Sequence, residues 1–123
     1  MSPANETEIK TVLRRLIKSS PHITASAVAR LSGIVISSVM PYYVEEERVS
    51  AMSAVMLLLG ERMTGAMRNG QLNQVYVRGD SGHIVMKSIG EDAVLTVTAT
   101  DEAPLGLLFL EMELAAEKLQ ELI

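Results

Sequence analysis

The sequence predicts an α/β sandwich: one five-stranded sheet with helices on both faces, in the order α-β-β-α-β-β-β-α. Three observations predict it. The stretch from Val75 to Gly106, VYVRGDSGHIVMKSIGEDAVLTVTATDEAPLG, holds three short β-branched runs, two tight turns and a helix start in unbroken sequence. A further strand pair flanks Leu31-Ser32-Gly33. Three segments carry apolar residues at helical spacing, and a chain of 123 residues has the length of a single domain, residues 1–123.

In the first helix Ile9, Val12, Leu13, Leu16 and Ile17 recur at i, i+3, i+4, i+7 and i+8. Glu6 and Glu8 lie early and Arg14, Arg15 and Lys18 late, the charge order that suits the helix dipole. Ser19-Ser20-Pro21 ends it. The runs Ile23 to Arg30 and Ile34 to Val39 then form a hairpin whose many Ala and Ser residues allow a helix to pack close. Met40-Pro41 breaks the second strand, and Glu45-Glu46-Glu47 opens a long helix reaching about Met67 or Arg68.

That helix is unusual. Met52, Met56, Leu59, Met63 and Met67 form a narrow stripe, while Ala54, Leu57 and Leu58 keep the other side apolar. Apolar character all round implies burial by the sheet and by a partner; the competing reading is a core helix whose methionines fill gaps. Asn69-Gly70 ends the helix and Leu72 to Arg78 forms the next strand. Arg78-Gly79-Asp80-Ser81-Gly82 supplies a hairpin turn with two glycines free to take positive φ, and Gly90-Glu91-Asp92 supplies a second turn. Pro104 starts the last helix, Leu105 to Ile123, with Leu108, Met112, Ala115, Leu119 and Leu122 at helical spacing.

Composition excludes several functions. Hydrophobic residues make up 48% of the chain and aromatics 3%, so a base-stacking platform is not expected. A formal charge of −4 without a basic cluster argues against nucleic acid as a partner. The absence of cysteine removes disulfides, thiolate nucleophiles and zinc-thiolate sites. MSPANETEIK lacks the order of a signal peptide, and no apolar run spans a bilayer, so a cytoplasmic protein without membrane insertion is expected.

His22 and His83 are read as half-exposed structural residues at strand starts, with no carboxylates at ligand spacing and no nucleophile elbow nearby. Neither a metal, a cofactor nor a catalytic residue is assigned. The triplet Glu45 to Glu47 splays around a helix start and is read as dipole stabilisation and solvation.

With this order in place, the chain resembles the roadblock family of dynein light chain and small-GTPase regulatory proteins, over nearly its whole length. The carriers are Ser32-Gly33-Ile34-Val35-Ile36-Ser37-Ser38, the Met-rich helix Val49 to Met67, Val77-Arg78-Gly79-Asp80-Ser81-Gly82-His83-Ile84-Val85, and Ile89-Gly90-Glu91-Asp92-Ala93-Val94-Leu95. Asp101-Glu102-Ala103-Pro104-Leu105-Gly106 and Ala115-Ala116-Glu117-Lys118-Leu119 look like the bacterial gliding-motility members. Ser32-Gly33 stands where Asp-Gly is usual, and Gly60 and Gly65 interrupt the middle helix.

The resemblance implies a profilin-like, five-stranded antiparallel sheet between helices. It also implies a homodimer formed through the middle helices and the strand after them, by Met52, Met56, Leu59, Met63, Met67, Val75, Tyr76 and Val77. Gly60 and Gly65, lacking side chains, would then permit close helix crossing in that dimer, or Gly65 would simply mark where the helix loosens. The implied partner is a small Ras-like GTPase, bound without an active site of this chain's own; Arg48, Glu61, Arg62 and Arg68 are the candidate contacts. A small-molecule sensor of similar architecture is the alternative, weakened by the shortage of aromatic and polar groups that could line a pocket. A hydrolase lacks a nucleophile, base and orienter set.

Overall fold

The computed structural model describes residues 2–123. Eight elements follow the anticipated order: α1 (Pro3–Lys18), β1 (Ile23–Arg30), β2 (Val35–Val39), α2 (Glu46–Ala66), β3 (Val75–Gly79), β4 (Gly82–Ile89), β5 (Ala93–Thr100) and α3 (Leu105–Leu122). Local chemistry explains the ends. Ser2 caps α1 by accepting from the Asn5 N–H, with Pro3 at the first helical position. The chain leaves α2 through left-handed Arg68 (φ 56°) and Gly70 (φ 86°).

The five strands form one antiparallel sheet in the order β2-β1-β5-β4-β3. The hairpin β1-β2 and the meander β3-β4-β5 join where β5 pairs with β1, so β2 and β3 are left as the two edges. α2 carries the chain from one edge to the other. Its 21 residues span about 31 Å, longer than the roughly 19 Å across five strands.

Helices cover both faces. Ile9, Leu13 and Leu16 of α1 and Leu108, Met112 and Leu119 of α3 pack on Val28, Val85, Leu95 and Val97, forming the larger core. The opposite face carries a smaller core of Ala29, Leu57, Met86 and Val94 under α2. There α2 turns Ser50, Ser53, Ala54 and Leu57 inward, over a sheet surface that includes Ala29, Val94 and Thr96. Small residues meet small residues, which is how the Ala- and Ser-rich hairpin serves close packing.

Several expectations are corrected. Gly79 and Gly82 do not adopt positive φ: they pair with each other as the last rung of the β3-β4 hairpin, and Asp80-Ser81 alone makes the turn. Gly82 is needed for close approach, because a Cβ there would sit 2.7 Å from the Ala99 carbonyl oxygen on β5. Gly33 (φ 93°) and Gly90 (φ 59°) do take the left-handed conformation in their turns. Strand β3 starts at Val75, not Leu72; the left-handed exit from α2 sends residues 71–74 back along the helix, where Leu72 packs against Gly60.

Candidate functional site

The Met-rich face of α2 is solvent-exposed. Met52 is 53%, Met63 60% and Met67 70% exposed, with Leu59 exposed among them. They are not core residues of the protomer, which decides against methionines filling internal gaps. Met56 differs: it is half-buried and packs on the smaller core. The stripe lies on the α2 flank next to β3, since Gly60 on that flank faces Leu72 and Val75 at distances where a Cβ would meet them at 3.1 Å. Gly60 therefore fits α2 against its own chain's β3 segment.

Along β3, Val75 and Val77 face α2 and continue the apolar surface, joined by exposed Ile84 on β4, the cross-strand partner of Val77. Tyr76 points to the other face. Its ring stacks on His83 at 5.7 Å and meets Phe109 of α3 edge-on at 6.3 Å. Its side chain stays 39% exposed there, on the face away from the methionine stripe.

The two sheet edges are unlike. On β2 the Lys10 ammonium donates to the Ser38 carbonyl at 2.6 Å, and the Ser38 hydroxyl donates to the Glu46 carboxylate. Glu46 is thus a half-buried acceptor and not only a solvated dipole partner. Among the described residues the side-chain hydrogen bonds at β3, those of Tyr76 and Arg78, run to other side chains, and none reaches its backbone. A bare edge beside an apolar face is the geometry that strand addition requires.

The four charged candidates are not one cluster. Arg62 borders a shallow apolar depression with Val55, Leu58 and Leu59, on the α2 flank away from the smaller core. Arg48, near the helix start, is tied loosely to Glu45 at 3.5 Å with both side chains about 70% exposed. Glu61 instead lines a separate groove of about 470 Å³ with Thr64, Gln71, Leu72 and Glu91. Arg68 lies in the left-handed exit turn.

The histidines take structural positions, one of them unlike the sequence reading. His22 is half-buried, with Nδ1 at 3.0 Å from the Thr100 hydroxyl. His83 is 2% exposed, not half-exposed, because Tyr76 and the Asp101 turn cover it. Among the described residues no three His, Asp or Glu side chains converge as metal ligands, and no helix is long and apolar enough to cross a membrane.

A three-layer α/β sandwich that offers open faces and a bare edge is thereby defined. The chain belongs to the Roadblock/LC7 domain family, whose model matches residues 9–99. An uncharacterised protein of Methanocaldococcus jannaschii is 34% identical over 112 residues, 91% of this chain and 96% of that one. MglB of Myxococcus xanthus superposes with a TM-score of 0.89 at 20% identity, covering 100% of this chain and 96% of its own. A profilin of Schizosaccharomyces pombe follows at 0.65 and 12% identity, covering 89% and 94%. At these identities the structural likeness is one of fold, and it is the fold that the roadblock resemblance implies.

Proposed function

We propose that this chain is a homodimeric roadblock-domain protein of the cytoplasm that binds a small Ras-like GTPase and regulates or positions it, with no active site of its own. The observation that carries the dimer is the continuous apolar surface of Met52, Met63 and Met67 with Val75 and Val77, bordering the bare β3 edge. Two copies joined there bury both stripes and run their sheets on as one. The GTPase partner rests on membership of the roadblock family and on the likeness to MglB.

Phosphoryl transfer depends on positioning and on charge placed around the γ-phosphate. A protein without a nucleophile or metal site accelerates hydrolysis by holding the GTPase's own residues and magnesium in place. Arg48 and Arg62 are the residues able to supply a cation in trans.

The test is titration of the dimer into each small Ras-like GTPase of the same genome, in GDP and GTP-analogue forms, reading binding and hydrolysis. Nucleotide-dependent binding with faster hydrolysis supports regulation, and binding without acceleration supports positioning. No binding to any of them in either form overturns the proposal. Arg48→Ala and Arg62→Ala separate the routes: full stimulation by both variants removes the trans arginine.

A further inference from the structure

The face opposite α2 carries a second apolar stripe that the dimer seam leaves uncovered. Leu107, Leu110 and Leu114 recur on α3 at i, i+3 and i+7, and all are exposed, Leu114 by 53%. Beside them runs a groove of about 210 Å³ between α1 and α3. Val12 and Leu16 form its α1 wall with Arg15 at the rim; Glu111, Leu114, Ala115 and Lys118 form its α3 wall.

The α3 wall has a pattern that reads the same in reverse with its charge inverted. Glu111, Leu114, Ala115 and Lys118 stand at i, i+3, i+4 and i+7, on one side of the helix. When two such helices run antiparallel about a two-fold axis between Leu114 and Ala115, each Glu111 meets the other's Lys118. Each Leu114 side chain then faces the other helix's Ala115 at the centre. That is the self-complementarity an isologous interface demands.

We propose that the α1/α3 face pairs with a second copy of this chain, antiparallel along α3, so that dimers joined through α2 and β3 associate into tetramers. Ala115 beside Leu114 leaves the room in the groove that the partner's leucine fills. The charges are available: among the described residues Glu111 has no ion-pair partner, and Lys118 has only Glu121, at 3.6 Å with both side chains mostly exposed. Such a pair contributes little and exchanges readily. α1 and α3 lie across the sheet from α2, so the two pairings use separate faces. The inference is independent of the GTPase reading.

Sedimentation equilibrium of the full chain, from micromolar to near-millimolar concentration, tests it. Wild-type protein is expected to reach twice the mass of either Glu111→Lys or Lys118→Glu, each of which sets like charges against each other at both contacts. Two rim contacts converted from attraction to repulsion weaken pairing about tenfold or more. The deciding sample is an equimolar mixture of the two single variants. One helix is then positive at both contact points and the other negative at both, so the mixture and the double variant recover the higher mass. Circular dichroism checks that each variant folds. Equal masses for wild type and both single variants, or no recovery in the mixture, overturns the proposal. Repeating the series with Met63→Glu separates the faces: loss of the α2 seam halves every mass but leaves the ratio between wild-type and variant α3 faces intact.

Discussion

The imidazole of His83 is held from both ends. Nε2 lies 3.2 Å from the Asp101 carbonyl oxygen, which only accepts, so the neutral ring carries its proton on Nε2. Nδ1, 2.6 Å from the Tyr76 hydroxyl, then accepts from that phenol. The ring sits at the start of β4, buried beneath Tyr76 and α3. Tyr76→Phe keeps the stacked ring and removes the donor, leaving a buried nitrogen unsatisfied. Urea unfolding is expected to show a loss of about 1–3 kcal/mol; a change below about 0.3 kcal/mol, the size of an ordinary surface effect, contradicts the hydrogen bond. Strand alternation shows which face His83 belongs to but not what covers it. The cover comes from Tyr76, seven residues earlier, and Asp101, eighteen residues later. Burial of this residue was for that reason not legible in the local pattern.

At the level of elements, α2 shows how one helix serves two environments. Its inner side sets the small residues Ser50, Ser53 and Ala54 beside Leu57, over a sheet surface that includes Ala29, Val94 and Thr96. There the Thr96 hydroxyl donates to Ser53 at 2.7 Å, and Ser53 donates on to the Val49 carbonyl at 2.8 Å. The chain of donors makes the two positions unequal. Ser53→Ala strands the buried Thr96 hydroxyl and is expected to cost about 1–3 kcal/mol, whereas Thr96→Val leaves Ser53 still bonded to Val49 and costs less. In the Thr96→Val background Ser53→Ala should lose most of its penalty, a coupling of at least about 0.5 kcal/mol in a double-mutant cycle read by denaturant unfolding. Strict additivity would refute the relay. The helix and its stripe were legible, since methionines at helical spacing announce a face whatever covers it. The start of β3 was not, because Leu72 is apolar for a packing reason and the left-handed turn at Arg68 is not signalled by residue type.

For the whole molecule, the decisive asymmetry is between the two edges of the sheet. Strand order places β2 and β3 at opposite ends, a consequence of β5 entering beside β1 that no local pattern in the chain reveals. Among the described residues only β2 is guarded, by Lys10 on its backbone and by the Ser38 to Glu46 bond. Pairing through β3 alone would join two strands of five residues, too little to hold two protomers together. In the proposed dimer the methionine stripe supplies the rest of the contact. Met63 is the residue to probe, being 60% exposed and apart from the protomer's own core, whereas Met56 packs partly inside it and its replacement would confuse dissociation with unfolding. Met63→Glu places a carboxylate in each half of the proposed seam, where burial without a partner costs several kcal/mol. At about 4 kcal/mol the dimer dissociation constant rises roughly a thousandfold. Native mass spectrometry at micromolar concentration should then record the protomer mass, while the far-ultraviolet circular dichroism of the folded domain is retained. A mass equal to that of wild type would place the seam elsewhere on the molecule.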